Sequence, residues 1–218
     1  MKKLIMSAAL TVVSLASCSQ GFYDINTIND IEISFFDSNW DALLDTYYAN
    51  DIGERLVATV SINGVVYDSC GVKYKGNSSY DINRTKNPFS IKLDYTIGSQ
   101  NVDGYETLKL SNIWRDPSCI REVLAYEIAR KYTTAPQANF TNVSVNGTLY
   151  GLYTNVENIN KDFIKNHYWE DNGAFFKGET VQGPPGAGCP RFQPPSGAPI
   201  WGYLNSDTIC YEKYYELK

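Results

Sequence analysis

The residues whose types and order could do chemistry lie between Gly71 and Tyr95, in the run GVKYKGNSSYDINRTKNPFSIKLDY. Lys75-Gly76-Asn77-Ser78-Ser79 forms a small-residue turn after a strand-like segment. Gly76 can take a positive φ, and successive N–H groups in such a turn can form a nest for an anion. The hydroxyls of Ser78 and Ser79 add donors. This is not a Walker A loop, which needs a lysine followed by Ser or Thr at the start of a helix. A plain polar turn is the competing reading. Lys92 follows on the next strand. Phe89, Ile91, Leu93 and Tyr95 alternate onto one face and leave Ser90, Lys92 and Asp94 on the other. If that face lines a cleft, Lys92 can hold a phosphate as a point charge, with Lys86 a second candidate. Otherwise it is a solvated outer face.

A third candidate is Glu127. On a helix predicted over Asp116–Tyr132, Ile120, Val123, Leu124 and Ile128 form an apolar stripe. Glu127 falls inside that stripe, whereas Glu122 lies away from it. A carboxylate facing a core needs a partner. A strand lysine would serve, and so would Arg130 or Lys131 on the same helix. The sequence has no GxSxG, HExxH, GxGxxG, HRD or DFG element. His167 is the only histidine and no CxxC occurs, so a zinc site is not expected.

The elements that must position these residues read as follows. Ile31–Phe35 alternates as a strand. Asp37 or Ser38 is a candidate cap for a helix ending near Ala49. Strands Leu56–Ile62 and Val65–Tyr74 flank Asn63-Gly64, and strands Phe140–Val145 and Leu149–Val156 flank Asn146-Gly147. Both dipeptides are strong hairpin signals. Asp116-Pro117 opens the main helix as cap and first residue. Asn160–Tyr168 reads as a short helix. The Pro/Gly-rich stretch 181–202 reads as a loop. The expected fold class is α+β, a mostly antiparallel sheet with helices packed on it.

Lys2 and Lys3 precede an apolar run from Leu4 to Leu15, which has signal-peptide character and is too short to span a bilayer. Leu15-Ala16-Ser17-Cys18 is similar to a bacterial lipobox, with Cys18 as the lipidated residue. The expected organisation is a signal peptide at 1–17, a tether at 18–29 and a domain at 30–218. The expected location is the cell envelope, with membrane attachment through Cys18; ordinary secretion is the alternative. Four cysteines remain, of which Cys189 and Cys210 are the more natural disulfide pair and Cys70 and Cys119 read as buried thiols. A net charge of −5 argues against general nucleic-acid binding.

Three stretches resemble the CotH kinase family: GVKYKGNSS (71–79) with KNPFSIKLD (86–94), WRDPSCIREVLAYEIAR (114–130), and VSVNGTLYGLYTNVENINKDFI (143–164). The resemblance implies the N-terminal part of a divergent protein-kinase-like fold, with ATP and Mg²⁺ as cofactors and a protein as substrate. It places Lys75, Gly76, Asn77, Ser78, Ser79, Lys92 and Glu127 on the nucleotide side. Glu157 matches the acid after Gly-Leu-Tyr. The family's turn arginine is Lys75 here, which loses bidentate phosphate contact. The Asp-rich catalytic and metal-binding half would begin after Leu217, so this chain alone is expected to have little kinase activity. The alternative is a non-catalytic surface, coat, adhesion or glycan-binding lipoprotein module.

Overall fold

The computed structural model describes residues 21–50, 53–76 and 78–168, together with the backbone of 178–180 and 215–217. The chain divides into two compact units, Met1–Trp169 and Glu170–Lys218. Within the second, strands β8 (Gly178–Thr180) and β9 (Tyr215–Leu217) pair antiparallel. The expected signal peptide at 1–17, Cys18, Asn77, Cys189, Cys210 and the stretch 181–202 expected as a loop lie outside the described residues.

The first unit is a closed barrel. Its strands are β1 (Ile28–Phe35), β2 (Leu56–Ile62), β3 (Val65–Tyr74), β4 (Phe89–Lys92), β5 (Thr107–Ser111), β6 (Ala138–Val145) and β7 (Thr148–Glu157), and they run around it in the order β1-β2-β3-β4-β5-β7-β6. Three helices accompany it: α1 (Trp40–Ala49), α2 (Arg121–Ala129) and α3 (Lys161–Tyr168).

This corrects the expected α+β arrangement of a mostly antiparallel sheet with packed helices, resembling the first part of a kinase-like fold. The reason is β1. It pairs antiparallel with β2 (Ile33 opposite Val60) and parallel with β6 (Ile33 opposite Val145). Both sheet edges are thereby consumed, and closure removes the unpaired rows of N–H and C=O that an open sheet would expose. Alternation then fills the lumen. Ile31, Ile33, Val60, Val72, Phe89, Ile91, Leu108, Leu110, Val143 and Tyr153 are all buried in one core. Phe22 and Tyr23 are buried in that same core, which thus takes in residues before β1.

The two Asn-Gly turns do more than reverse the chain. Asn63 and Gly64 have φ of 50° and 84°, and Asn146 and Gly147 have 47° and 77°, the double left-handed pair of a type I′ turn. The Asn63 side-chain oxygen accepts from the Asp30 N–H (2.9 Å), and that of Asn146 accepts from the Phe35 N–H (2.8 Å). Each hairpin therefore clips one end of β1.

The main helix is shorter than its sequence signal. Cys119 has φ 61°, which interrupts the helical path, and α2 starts at Arg121. Asp116 keeps a capping role at a distance: one carboxylate oxygen accepts from the Arg121 N–H (2.8 Å), the other from the Ser118 N–H (3.1 Å). The helix is also rotated from the expected stripe. Val123 packs with Ala138 and Val156 against the barrel wall, while Ile120, Leu124 and Ile128 are about half exposed. At α1 the cap position is Asn39, without a side-chain hydrogen bond, rather than Asp37 or Ser38.

Candidate functional site

A cleft of about 440 Å³ opens where the β3–β4 loop meets the β5–α2 loop. Ser78, Ser79, Ser111, Trp114, Arg115, Arg121 and Glu122 are among its lining residues. Two loops build it, and each is fixed for a readable reason.

The first is the turn at 75–80. Gly76 has φ +91°, and a Cβ there would lie 2.3 Å from the Ser79 hydroxyl oxygen. A side chain there would have to push the Ser79 hydroxyl aside, and the left-handed φ itself favours glycine. Helix α1 holds the turn from one side. The Tyr48 hydroxyl donates to the Gly76 carbonyl (2.5 Å), its ring packs on Tyr80 (3.7 Å between centroids), and the Tyr80 hydroxyl donates to Asp45 (2.7 Å). Tyr74 donates similarly to Asp41. From the other side, Arg84 (2.7 Å) and Asn112 (3.0 Å) both donate to the Ser79 carbonyl. Gly76→Ala is expected to lower stability by about 1–2 kcal/mol from the left-handed backbone alone, and to displace Ser79. Thermal melting combined with an oxyanion titration checks both effects.

The second is the loop 112–120. Ile113, Arg115 and Cys119 have φ of 57°, 58° and 61°. A non-glycine residue in the left-handed region is uncommon, a β-branched one such as Ile113 most of all, and three in one loop store backbone strain of the kind that collects at functional sites. The conformation turns Arg115 and Trp114 to the cleft. The Arg84 guanidinium stacks 3.5 Å above the Trp114 ring, with that of Arg115 at 5.4 Å. Arg121 is well exposed and lies 3.4 Å from Asp116. Hydrogen bonds, chiefly from the Ser118 hydroxyl, hold the Asp116 carboxyl below its ordinary range.

Behind the cleft lies a polar chain. The Lys75 ammonium donates to the Ser111 hydroxyl oxygen (3.0 Å), and that hydroxyl donates to Glu122 (3.3 Å). Burial pushes Glu122 up despite the opposing pull of Lys75, and burial lowers Lys75 against the pull of Glu122. Of the two partners open to Glu127, a strand lysine or a basic residue of its own segment, the structure has the second, and a lysine–carboxylate relation is built instead from Lys75 and Glu122. Lys92 faces Asp94 at 3.5 Å with its side chain 41 % exposed, and Glu127 pairs with Arg130 on its own helix. Glu122 falls outside the apolar stripe that Ile120, Leu124 and Ile128 mark on the helical wheel, so the stripe does not point to it. Its four-residue spacing to Tyr126, which packs against the Val123 cluster, was the available signal.

The other expected residues lie apart from the cleft lining. Lys86 donates to the Leu152 carbonyl (2.6 Å) and lies over the Tyr153 ring. Glu157 is buried, accepts from the Gln137 N–H (2.9 Å), and meets His167 of α3 at 3.1 Å. Cys70 is buried, with its thiol pushed up to about 11 chiefly by burial, and Cys119 is half-buried.

The cleft thus offers guanidiniums, hydroxyls and an aromatic edge. That donor set suits the phosphate groups of the nucleotide implied by the resemblance. It suits a resident Mg²⁺ poorly, because Asp116 is occupied as a cap and Glu122 by Ser111. Among the described residues, no group of three or more His, Cys, Asp or Glu side chains gathers to hold a metal ion. No helix among them is long and apolar enough to cross a membrane.

A comparison with curated proteins returned no match. The family described as CotH kinase protein matches residues 72–195, a span that contains every residue lining the cleft. With more than half of its length matched in this way, the chain belongs to the CotH kinase protein family.

Proposed function

We propose that this chain is a non-catalytic binding module of an exported surface protein, and that its cleft takes a ligand through an oxyanion group. In this reading residues 1–17 are the export leader, and Cys18 carries a lipid that attaches the protein to the envelope membrane. The observation that carries the proposal is the convergence of Arg115, Arg121, Ser78 and Ser79 on one cleft. Guanidiniums supply charge-assisted donors to phosphate, sulfate or carboxylate oxygens. The cleft carboxylates support binding rather than transfer. Asp116 is committed to capping and Glu122 to the Ser111–Lys75 chain, so neither is placed as a general base toward a nucleophile.

A second reading is that the oxyanion is the phosphate tail of a nucleotide, and that the chain forms the nucleotide side of a CotH-type protein kinase. The Lys75–Ser111–Glu122 chain behind a serine turn favours it, since kinases hold phosphates beside a lysine–glutamate pair. One experiment separates the readings. The full chain is titrated with pyrophosphate and with ATP, then incubated with ATP, Mg²⁺ and a protein acceptor. Saturable binding of both without γ-phosphate transfer is expected. Transfer at enzyme-like rates overturns the non-catalytic reading. Failure of both ligands to bind removes the oxyanion cleft.

A further inference from the structure

We infer that the outward stripe of α2 is a self-association surface, covered by the same stripe of a second copy of this chain in antiparallel register. It stands independently of what the cleft binds. The helix has one fully buried side chain, Val123, which packs with Ala138 and Val156 against the barrel wall. Away from that anchor it carries apolar residues where a solvated helix face carries polar ones. Ile120 is 50 % exposed, Leu124 and Ile128 are each 49 % exposed, and Tyr132, just beyond the helix, is 85 % exposed. Ile120, Leu124 and Ile128 are spaced by four residues, so they line one side of the helix. Ala125, beside Leu124, is exposed as well and is small enough to let a second backbone approach.

Two features select a second copy as the occupant. The first is the symmetry of the residues about Leu124. Ile120 and Ile128 stand four positions to either side of it, and Arg121 and Glu127 three positions to either side. In a two-fold antiparallel pair centred on Leu124, each residue lies level with the residue at the mirrored position. Leu124 then meets the partner's Leu124, Ile120 lies level with the partner's Ile128, and Arg121 lies level with the partner's Glu127. A parallel pair would instead set Arg121 beside the partner's Arg121, a like-charge contact. Both charges are accessible for this: the side chain of Arg121 is 67 % exposed and that of Glu127 35 %. Each has a neighbour in its own chain, Asp116 for Arg121 and Arg130 for Glu127. Five N–H donors on the guanidinium and two oxygens on the carboxylate leave capacity for a second partner. The second feature is area. Ile120, Leu124, Ile128 and Tyr132 together expose about 400 Å² of apolar surface, the size of patch that marks interaction sites. That is about half of the roughly 800 Å² that each partner buries in a specific interface, and it matches the apolar share of such interfaces. A contact at this lower end of the range is expected to be a reversible, micromolar dimer.

The test is sedimentation equilibrium of the full chain from low to high micromolar concentration, with thermal melting of each variant as the control for folding. Wild type is expected to show a reversible monomer–dimer equilibrium. Leu124→Glu sets two carboxylates against each other on the two-fold axis and should weaken the dimer about thirtyfold or more. Its melting at low concentration should stay near that of wild type, because Leu124 is half exposed. Glu127→Lys faces the partner's Arg121 with a like charge and should weaken the dimer about tenfold. Adding Arg121→Glu restores opposite signs in the same register and should recover most of that loss, which keeps the test decisive even where Leu124→Glu folds poorly. A wild-type chain that stays monomeric throughout would overturn the inference. So would a dimer that Leu124→Glu leaves intact, or a charge reversal that the second substitution fails to rescue. A large drop in the melting of monomeric Leu124→Glu would overturn it too, since the stripe would then be covered within one chain.

Discussion

Replacing Arg115 and Arg121 together by alanine is expected to abolish measurable oxyanion binding while leaving the barrel folded. Each guanidinium lines the cleft, and neither belongs to the lumen core. A hydrogen bond to a charged group contributes about 1.5–3 kcal/mol. Two lost together therefore correspond to a loss of roughly a hundredfold or more. Arg121→Ala alone should cost about tenfold, since its guanidinium is already shared with Asp116 at 3.4 Å. Thermal melting serves as the control, because removing an exposed side chain usually shifts stability by no more than about 0.5 kcal/mol. Pyrophosphate affinity retained in the double variant would place the ligand elsewhere.

The second large effect concerns Lys75 and Glu122, linked through Ser111 behind the cleft. Burial disfavours the charged form of each, and each partially restores the other. Removing one charge leaves the other desolvated against a hydroxyl. Lys75→Met or Glu122→Met alone is therefore expected to destabilise the fold by about 1–3 kcal/mol. The double replacement by methionine should recover most of that loss, because well-packed apolar side chains often match a buried pair in stability. The coupling from such a cycle should lie at about 0.5–3 kcal/mol. Chemical denaturation of the four proteins measures it. Strict additivity would show that the two side chains act independently. Oxyanion affinity should remain reduced in the stable double variant, since Ser111 then loses its fixed orientation.

Much of the wall of the barrel was legible. β2 and β3 run over the residues their alternation marks, and both Asn-Gly pairs form the hairpins they announce. Closure was not legible, because it depends on β1 meeting β6 across more than a hundred residues. No local pattern records which strand edge finds which partner. Alternation of Ile31, Ile33 and Phe35 fits a one-faced open sheet as well as a barrel. The serine turn was legible through Gly76 and its neighbours, whereas the helix side of the cleft was not. Its apolar stripe fits burial on the wheel, yet Ile120, Leu124 and Ile128 stand half exposed and Glu122 turns inward. A nine-residue helix anchored by one fully buried side chain, Val123, is oriented by the loop that leads into it. That loop's left-handed residues, Ile113, Arg115 and Cys119, carry no glycine to announce them.

In the proposed function, the Gly76–Ser79 turn and residues 112–122 together bind an oxyanion. The most direct measurement is amide chemical-shift mapping by NMR on the full chain during a pyrophosphate titration. Saturable shifts confined to Ser78, Ser79 and residues 112–122, absent from the Arg115→Ala/Arg121→Ala protein, are the predicted result. No saturable shifts, or shifts elsewhere that persist in the double variant, would contradict it.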